Sequence, residues 1–371
     1  MKIMKPDRIL YICGGIMNRG GIESYMMNYY RHIDRNKIQI DFIVHGNQKG
    51  VYDDEIEELG GKIYHVPVKS KDYFGNIRAL KKIFNSGEYK IVHSHMDAMN
   101  MVVLKTARKC GVPIRISHSH NTKHLTSNPI KVLMNEYARK NVSRYATHLF
   151  ACSSLAGEWL YGKKNIDQGK VLLINNAIEV AKYQFSESSR NEMRSKLPIL
   201  DDEIVIGHVG RFDYQKNHSF LLDVFKEYIN INPKCKLVLV GEGHLKENII
   251  NKIQNLGISD NVILAGTTDK VENYLNLFDV FVFPSLFEGL PVVLIEAQAN
   301  GLPCIVSDTV PSESNVTGSI SYLSLKDDIK HWANEIENKR KVRSKQFNAL
   351  TQYDIDKEAN KLQAIYLDML G

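Results

Sequence analysis

Short apolar runs alternate with longer helical patterns along this chain, and the alternation occurs twice. In the first half the runs fall at residues 9–13, 38–44, 91–93, 113–117, 148–151 and 171–174. In the second half they fall at 204–209, 236–240, 262–264, 280–283 and 304–307. Helical patterns lie between them, for instance at 22–33, 130–142, 220–229 and 292–300. Strands that are apolar on both sides need cover on both faces, and strands separated by helices run parallel. The rhythm therefore predicts an α/β fold of two doubly wound, Rossmann-like domains facing a central cleft. The 371 residues suffice for two domains of ordinary size. We expect an N-terminal domain over residues 1–180 and a C-terminal domain over 181–371. The polar stretch 179–202 is the expected linker, and the amphipathic helix 355–370 could pack back on the N-terminal domain.

The five cysteines are scattered and form no CxxC pair, which points to a reducing, cytoplasmic setting. The apolar run near the N-terminus is too short for a signal peptide, and no run approaches the ~18 apolar residues of a membrane span. Net charge is only +6, yet residues 1–180 carry 27 Lys and Arg against 16 Asp and Glu, and the remainder 21 against 26. A basic half raises the question of nucleic acid. No helix-turn-helix, RNP-type or zinc-finger pattern accompanies it, so no nucleic-acid partner is expected.

Four segments at the ends of expected strands carry chemistry. Gly14-Gly15 through Gly20-Gly21 follows the first strand and opens a helix, where amides favour an anion. It lacks the Lys-Ser/Thr of a P-loop, and its plain reading is a ligand-free turn. Arg211 and Lys216 follow the strand at 204–209, placed to bind a diphosphate or simply solvated. Phe283 to Ala297 gives a strand end, a turn at Gly289-Leu290, and Pro291 at the expected first helical position. Its acids Glu288 and Glu296 could grip sugar hydroxyls as acceptors. Arg115 to Thr122 includes His118 and His120, and His93 and His95 also follow a strand. Without an HxxxH helix or CxxC pair, no metal site is expected there.

Together these segments resemble the family-4 retaining glycosyltransferases, which have the two-Rossmann GT-B fold. The resemblance spans nearly the whole chain. It rests on Gly20-Gly21-Ile22-Glu23, His118-Ser119-His120-Asn121, Gly210-Arg211 with Lys216, Val240-Gly241-Glu242-Gly243, and above all Glu288 and Glu296 flanking Gly-Leu-Pro. The stretch 118–161 is most similar to transferases of bacterial exopolysaccharide and capsule synthesis. The family often has Pro-Asn-Gly where this chain has Asn175-Asn176-Ala177, so that turn is given no role.

The resemblance implies a sugar transfer from a nucleotide-diphosphate donor, a UDP-sugar by subtype, to a glycan or polyprenyl-diphosphate-linked acceptor, with the anomeric configuration retained. The donor is a co-substrate, and no cofactor or metal is implied. Arg211 and Lys216 would hold the diphosphate, with Gly20 and Gly21 closing over it. Glu296 would bind the ribose, while Glu288, Gly289 and Leu290 would meet the sugar. Gly241–Gly243 and the loop 266–270 would border the base. His118 would face the reacting sugar, with His120 as the fallback. A nucleotide-sugar epimerase of the same fold and a non-catalytic subunit are the competing readings. Within the basic half, Ile130, Leu133, Met134, Tyr137, Ala138 and Val142 recur at helical spacing. They describe either a core-facing helix with a solvated basic face or a surface that meets an anionic membrane.

Overall fold

The computed structural model describes residues 5–124, 126, 128–340, 343–344 and 348–371. The chain divides into two compact units, Met1–Ala177 with Ile355–Gly371, and Ile178–Asp354. The last helix, Ile355–Leu370, thus counts with the first unit.

The first unit is built on seven strands: β1 (Asp7–Ile12), β2 (Ile38–His45), β3 (Ile63–Val66), β4 (Ile91–Ser94), β5 (Ile114–Ser119), β6 (His148–Ala151) and β7 (Val171–Leu173). All pairings are parallel, in the order β3-β2-β1-β4-β5-β6-β7. Consecutive side chains of a strand point to opposite faces, so the register sorts the core into two layers. Phe42, Tyr11 and His93 lie side by side across β2, β1 and β4. That face packs under the helices Gly21–His32 and Ile355–Leu370 through Tyr25, Tyr29, Leu362 and Tyr366. The opposite face carries Leu10, Ile12 and Val92, covered by Leu80, Phe84, Val103 and Leu104 from the helices Tyr73–Phe84 and Asn100–Lys109.

The second unit has six strands: β8 (Ile204–Val209), β9 (Cys235–Val240), β10 (Val262–Gly266), β11 (Val280–Phe283), β12 (Cys304–Ser307) and β13 (Ile320–Leu323). They too are all parallel, in the order β10-β9-β8-β11-β12-β13. Its two faces bury separate apolar clusters, one including Phe225 and Trp332, the other Phe278 and Leu294. In each unit the strand order reverses once, between β1 and β4 and between β8 and β11. Loops at the carboxyl ends of strands beside such a reversal diverge and leave a crevice, the usual ligand position of open parallel sheets.

Three local features differ from the sequence reading. β3 and β13 are edge strands, each paired on one side only. They are not continuously apolar, with exposed His65 in β3 and half-buried Ser321 and Tyr322 in β13, so the apolar-run criterion passes over them. The stretch 179–202 is not a linker but contains the helix Glu187–Lys196 of the second unit. Ser186 caps that helix by accepting from the Ser189 amide, and Arg190 ties it to Asp279 at 2.7 Å. Finally, Pro291 is the cap before the helix Val292–Ala299 rather than its first residue.

Candidate functional site

In the second unit the loops after β8 and β11 are stitched together. The Leu286 amide donates to the Gln215 carbonyl, the Gln215 side chain to the Phe287 carbonyl, and the Asn217 side chain to the Pro284 carbonyl. Asn217, just before the helix His218–Ile231, adopts a left-handed backbone, φ +53°, which asparagine tolerates better than most residues. These bonds place Lys216 against Glu288, with Nζ 2.7 Å from Oε1. Both side chains are largely shielded from water, at 16 % and 8 % exposure. The ammonium also lies 4.5 Å from the centre of the Phe283 ring, a cation–π distance. A shielded ion pair at the mouth of a parallel sheet is costly to desolvate. It is well placed to be split by a ligand that brings an anion to the lysine and hydroxyl groups to the carboxylate.

The neighbouring loops complete this half. Arg211 is 65 % exposed and held at Nε by Asp213 at 2.8 Å. Gly241 has φ +143°, and a Cβ there would fall 2.1 Å from the Gly210 carbonyl oxygen, so only glycine fits where the β8 and β9 loops cross. The Gly241 amide in turn donates to the Gly266 carbonyl, which draws the β10 loop alongside. Gly289 and Leu290 lie just before Pro291, the cap of the Val292–Ala299 helix, whose N-terminal dipole favours an anion. On that helix Glu296 accepts from the Tyr183 hydroxyl at 2.8 Å. Desolvation drives its carboxyl up to about 7, with the Tyr183 bond partly opposing the rise. Arg211, Lys216, Gly241, Gly289, Leu290, Glu288 and Glu296 thus all lie within one unit, on loops beside its switch point or on the helix that follows.

In the first unit four imidazoles form a two-by-two array. His93 and His95 project from β4 and its end, and His118 and His120 from β5 and its end, all on the face under the Gly21–His32 helix. Along each strand the rings stack with centres 4.2 Å apart. Across the strands His93 Nε2 bonds His118 Nδ1 at 3.1 Å, and His95 Nδ1 bonds His120 Nε2 at 2.9 Å. His93 Nδ1 continues to the Tyr366 hydroxyl, which bonds Tyr11. Tyr25 meets His118 and His120 edge-on. Burial pushes all four imidazoles well down, His120 to about 3, so the array is neutral near pH 7.

This arrangement reverses the expected order of the two candidate histidines. His118 has no accessible surface, and its Nε2 is sealed without a partner among the described residues. His120, two residues further toward the carboxyl end of the sheet, keeps 7 % exposure. Its Nδ1 is the one ring nitrogen of the four that is neither bonded to a described residue nor sealed. The strand period explains the reversal, since residues two apart share a face and the earlier one lies deeper. His93, His95 and His118 bring ring nitrogens within 4.8 Å of one another. Two of their ring nitrogens, His93 Nε2 and His118 Nδ1, are already engaged with each other at 3.1 Å.

Sequence reasoning missed Asp97, which fixes the turn beside His120. Its carboxylate accepts from the His120 and Asn121 amides at 2.7 and 3.3 Å and from the Asn121 side chain at 2.7 Å. Asp97 itself adopts φ +48°, an uncommon conformation for a residue other than glycine. A buried acid after a strand was the available signal. Tyr183 was also missed, because nothing near it in the sequence marks Glu296 as its partner. Gly20 and Gly21 stand at the start of the Gly21–His32 helix, with Gly20 as its cap. Neither has a left-handed backbone, and a Cβ on Gly21 would meet nothing within 4 Å, so the open space there could admit a ligand.

Residues 19–182 match the family described as Glycosyltransferase Family 4, and residues 189–344 match glycosyl transferases group 1. The chain is 37 % identical to the Bacillus subtilis protein EpsF over 335 residues, covering 89 % of this chain and 86 % of EpsF. It is 26 % identical to an Escherichia coli UDP-Gal:α-D-GlcNAc-diphosphoundecaprenol α-1,3-galactosyltransferase, covering 79 % of each chain. Its fold matches that of Anabaena HepE, solved in complex with UDP and glucose, with a TM-score of 0.78 at 17 % identity over 97 % of this chain and 99 % of HepE. Two parallel-sheet Rossmann-like units, the matched families and the extended identity to EpsF lead to one conclusion: this chain belongs to the family-4 glycosyltransferases, with the GT-B fold.

Proposed function

We propose that this protein is a retaining glycosyltransferase that moves a sugar from a UDP-sugar to a hydroxyl of a glycan or polyprenyl-diphosphate-linked acceptor in bacterial surface-polysaccharide synthesis. The observation that carries the reading is the shielded Lys216–Glu288 pair between the loops of β8 and β11. The names of the Escherichia coli relative and the HepE complex, which include UDP-Gal and UDP, support the choice of donor.

On this reading the donor diphosphate takes over Lys216, joined by Arg211 and the N-terminus of the Val292–Ala299 helix. Glu288 is released toward the sugar hydroxyls, and Glu296 accepts from the ribose. Gly20 and Gly21 approach the diphosphate, and Gly241 borders the base. As the bond from the anomeric carbon to the diphosphate oxygen breaks, its electron pair stays on the diphosphate, where the fixed positive groups stabilise it. The acceptor hydroxyl attacks the carbon on the face the diphosphate leaves, and a diphosphate oxygen takes its proton, so the configuration is kept. Neutral His120 offers a hydrogen bond at the reacting sugar, without adding charge. No cofactor or metal takes part.

The test is incubation of the protein with UDP-sugars, with and without a diphosphate-lipid acceptor and with a chelator present. The reading predicts an α-linked product from an α-linked donor, formed only with acceptor. Conversion of the donor sugar without acceptor would instead indicate an epimerase, and inversion in the product would overturn retention.

A further inference from the structure

The helix Pro129–Asn141 turns its apolar stripe outward. Ile130, Leu133, Met134 and Tyr137 stand at 71 %, 72 %, 63 % and 64 % exposure. Their spacing puts all four on one side of the helix. The side packed on the first unit uses Ala138, with Val142 just beyond the helix, against Ala98, Met101 and Ala151. The core-facing reading of this stripe is therefore wrong for four of its six residues. Single exposed apolar side chains are ordinary, but a contiguous ridge of four marks a docking surface.

The sequence around the ridge is basic. Between residues 101 and 150 there are nine Lys and Arg and one acid, Glu136. That acid is gripped by Arg139 through two bonds of 2.6 and 2.8 Å, which hold its carboxyl down at about 2. Lys131 and Lys140 stand exposed on the same helix. A second exposed apolar pair, Tyr73 at 49 % and Phe74 at 79 %, opens the helix Tyr73–Phe84 in a stretch with exposed Lys71 and Arg78 and one acid, the helix cap Asp72. The register puts Ile12, Ser94, Ser117 and Ala151 on one face of the sheet, and both helices pack on that face. Each follows a strand of the first sheet through a loop, from Val66 to Tyr73 and from Ser119 to Pro129. No helix among the described residues is long and apolar enough to cross a membrane.

We propose that the Pro129–Asn141 helix docks the first unit on an anionic bilayer, lying in the interface with Ile130, Leu133, Met134 and Tyr137 among the acyl chains and Lys131 and Lys140 at the headgroups. An apolar ridge set in lysine and arginine, with its one acid neutralised by an arginine, complements a surface that is apolar within and anionic outside. It fits a second copy of the same basic surface poorly, since like charges would face each other. The proposal deepens the proposed function, because a lipid-linked acceptor would be met at this surface.

The test is sedimentation of the full chain with vesicles of phosphatidylglycerol and phosphatidylcholine, or of phosphatidylcholine alone, without any sugar. The outcome is therefore separate from whether the protein transfers sugar. We expect binding to anionic vesicles that falls at least about tenfold from 0.05 to 0.5 M salt, and weak binding to phosphatidylcholine. A Leu133→Glu/Met134→Glu variant should lose at least about tenfold in binding while keeping its circular dichroism and melting temperature, because both side chains are exposed. In a Tyr137→Trp variant, emission should shift to the blue on anionic vesicles. Equal binding of the double variant, or no binding to anionic vesicles, would overturn the proposal. So would a dimer in light scattering that the double variant splits, which would assign the ridge to a second copy.

Discussion

With the ribose-binding role proposed for it, Glu296 would set stability against ligand binding, and replacing it with glutamine should expose that conflict. The free carboxyl titrates at 4.5, and in the folded protein desolvation raises it to about 7. A raised acid favours folding while protonated. Its contribution is present below the unfolded value and is lost as pH rises from 4.5 through 7. A shift of that size corresponds to about 3.4 kcal/mol at 1.36 kcal/mol per pH unit. The residue keeps part of its surface in water, so we expect about 2 kcal/mol of this at pH 8. Glutamine has the same shape, keeps an acceptor for the Tyr183 hydroxyl and carries no charge. Glu296→Gln should therefore be more stable than the parent by about 2 kcal/mol at pH 8 and about equal to it at pH 4.5. Urea unfolding of both proteins at the two pH values measures the difference, in which all other titrating groups cancel. The same variant should bind UDP-sugars more weakly, since an ionised carboxylate is the better acceptor for ribose hydroxyls. A stability difference that does not change between pH 4.5 and 8 would refute the claim that this carboxyl is desolvated.

Other substitutions probe the remaining parts. Lys216→Ala and Glu288→Ala should each lower transfer by at least about a hundredfold, with circular dichroism unchanged, as measured by product formation under saturating donor. His120→Ala should lower the rate far more than it lowers stability. His118→Ala should mainly destabilise, by about 1–3 kcal/mol, because it removes a sealed ring and leaves His93 Nε2 unpaired. Melting curves and initial rates on the two variants separate these effects, and a larger rate loss for His118→Ala would return the catalytic role to that residue. Gly241→Ala must move the Gly210 carbonyl and hold φ at +143°, so it should cost at least about 2 kcal/mol in urea unfolding.

Much of the architecture was legible because parallel strands buried on both faces leave unbroken apolar runs, as at Val280–Phe283, where all four residues are buried. The edge strands Ile63–Val66 and Ile320–Leu323 were not, because a strand paired on one side tolerates polar residues such as His65 and Ser321. The Glu187–Lys196 helix was hidden by its polarity: it holds on by Arg190 and buried Met193 rather than by an apolar stripe. The Pro129–Asn141 periodicity was visible, but periodicity identifies a stripe without saying which way it faces. Loop glycines and acids of the second unit could be read from their positions after strands. Depth along a strand could not, so His118 and His120 were interchangeable until the register was known. Asp97 and Tyr183 act through residues distant in sequence; Asp97 is marked locally only as an acid shortly after a strand, and nothing local marks Tyr183.

On the proposed function, the loops of β8, β9 and β11 and the helix after β11 hold a nucleotide-diphosphate sugar through Lys216, Glu288 and Glu296. Calorimetric titration of the protein with UDP-sugars in the presence of a chelator tests it most directly. We expect one donor bound per chain, with affinity lowered at least about tenfold by Lys216→Ala. Absence of binding heat from every nucleotide-diphosphate sugar, or equal affinity in the Lys216→Ala protein, would contradict it.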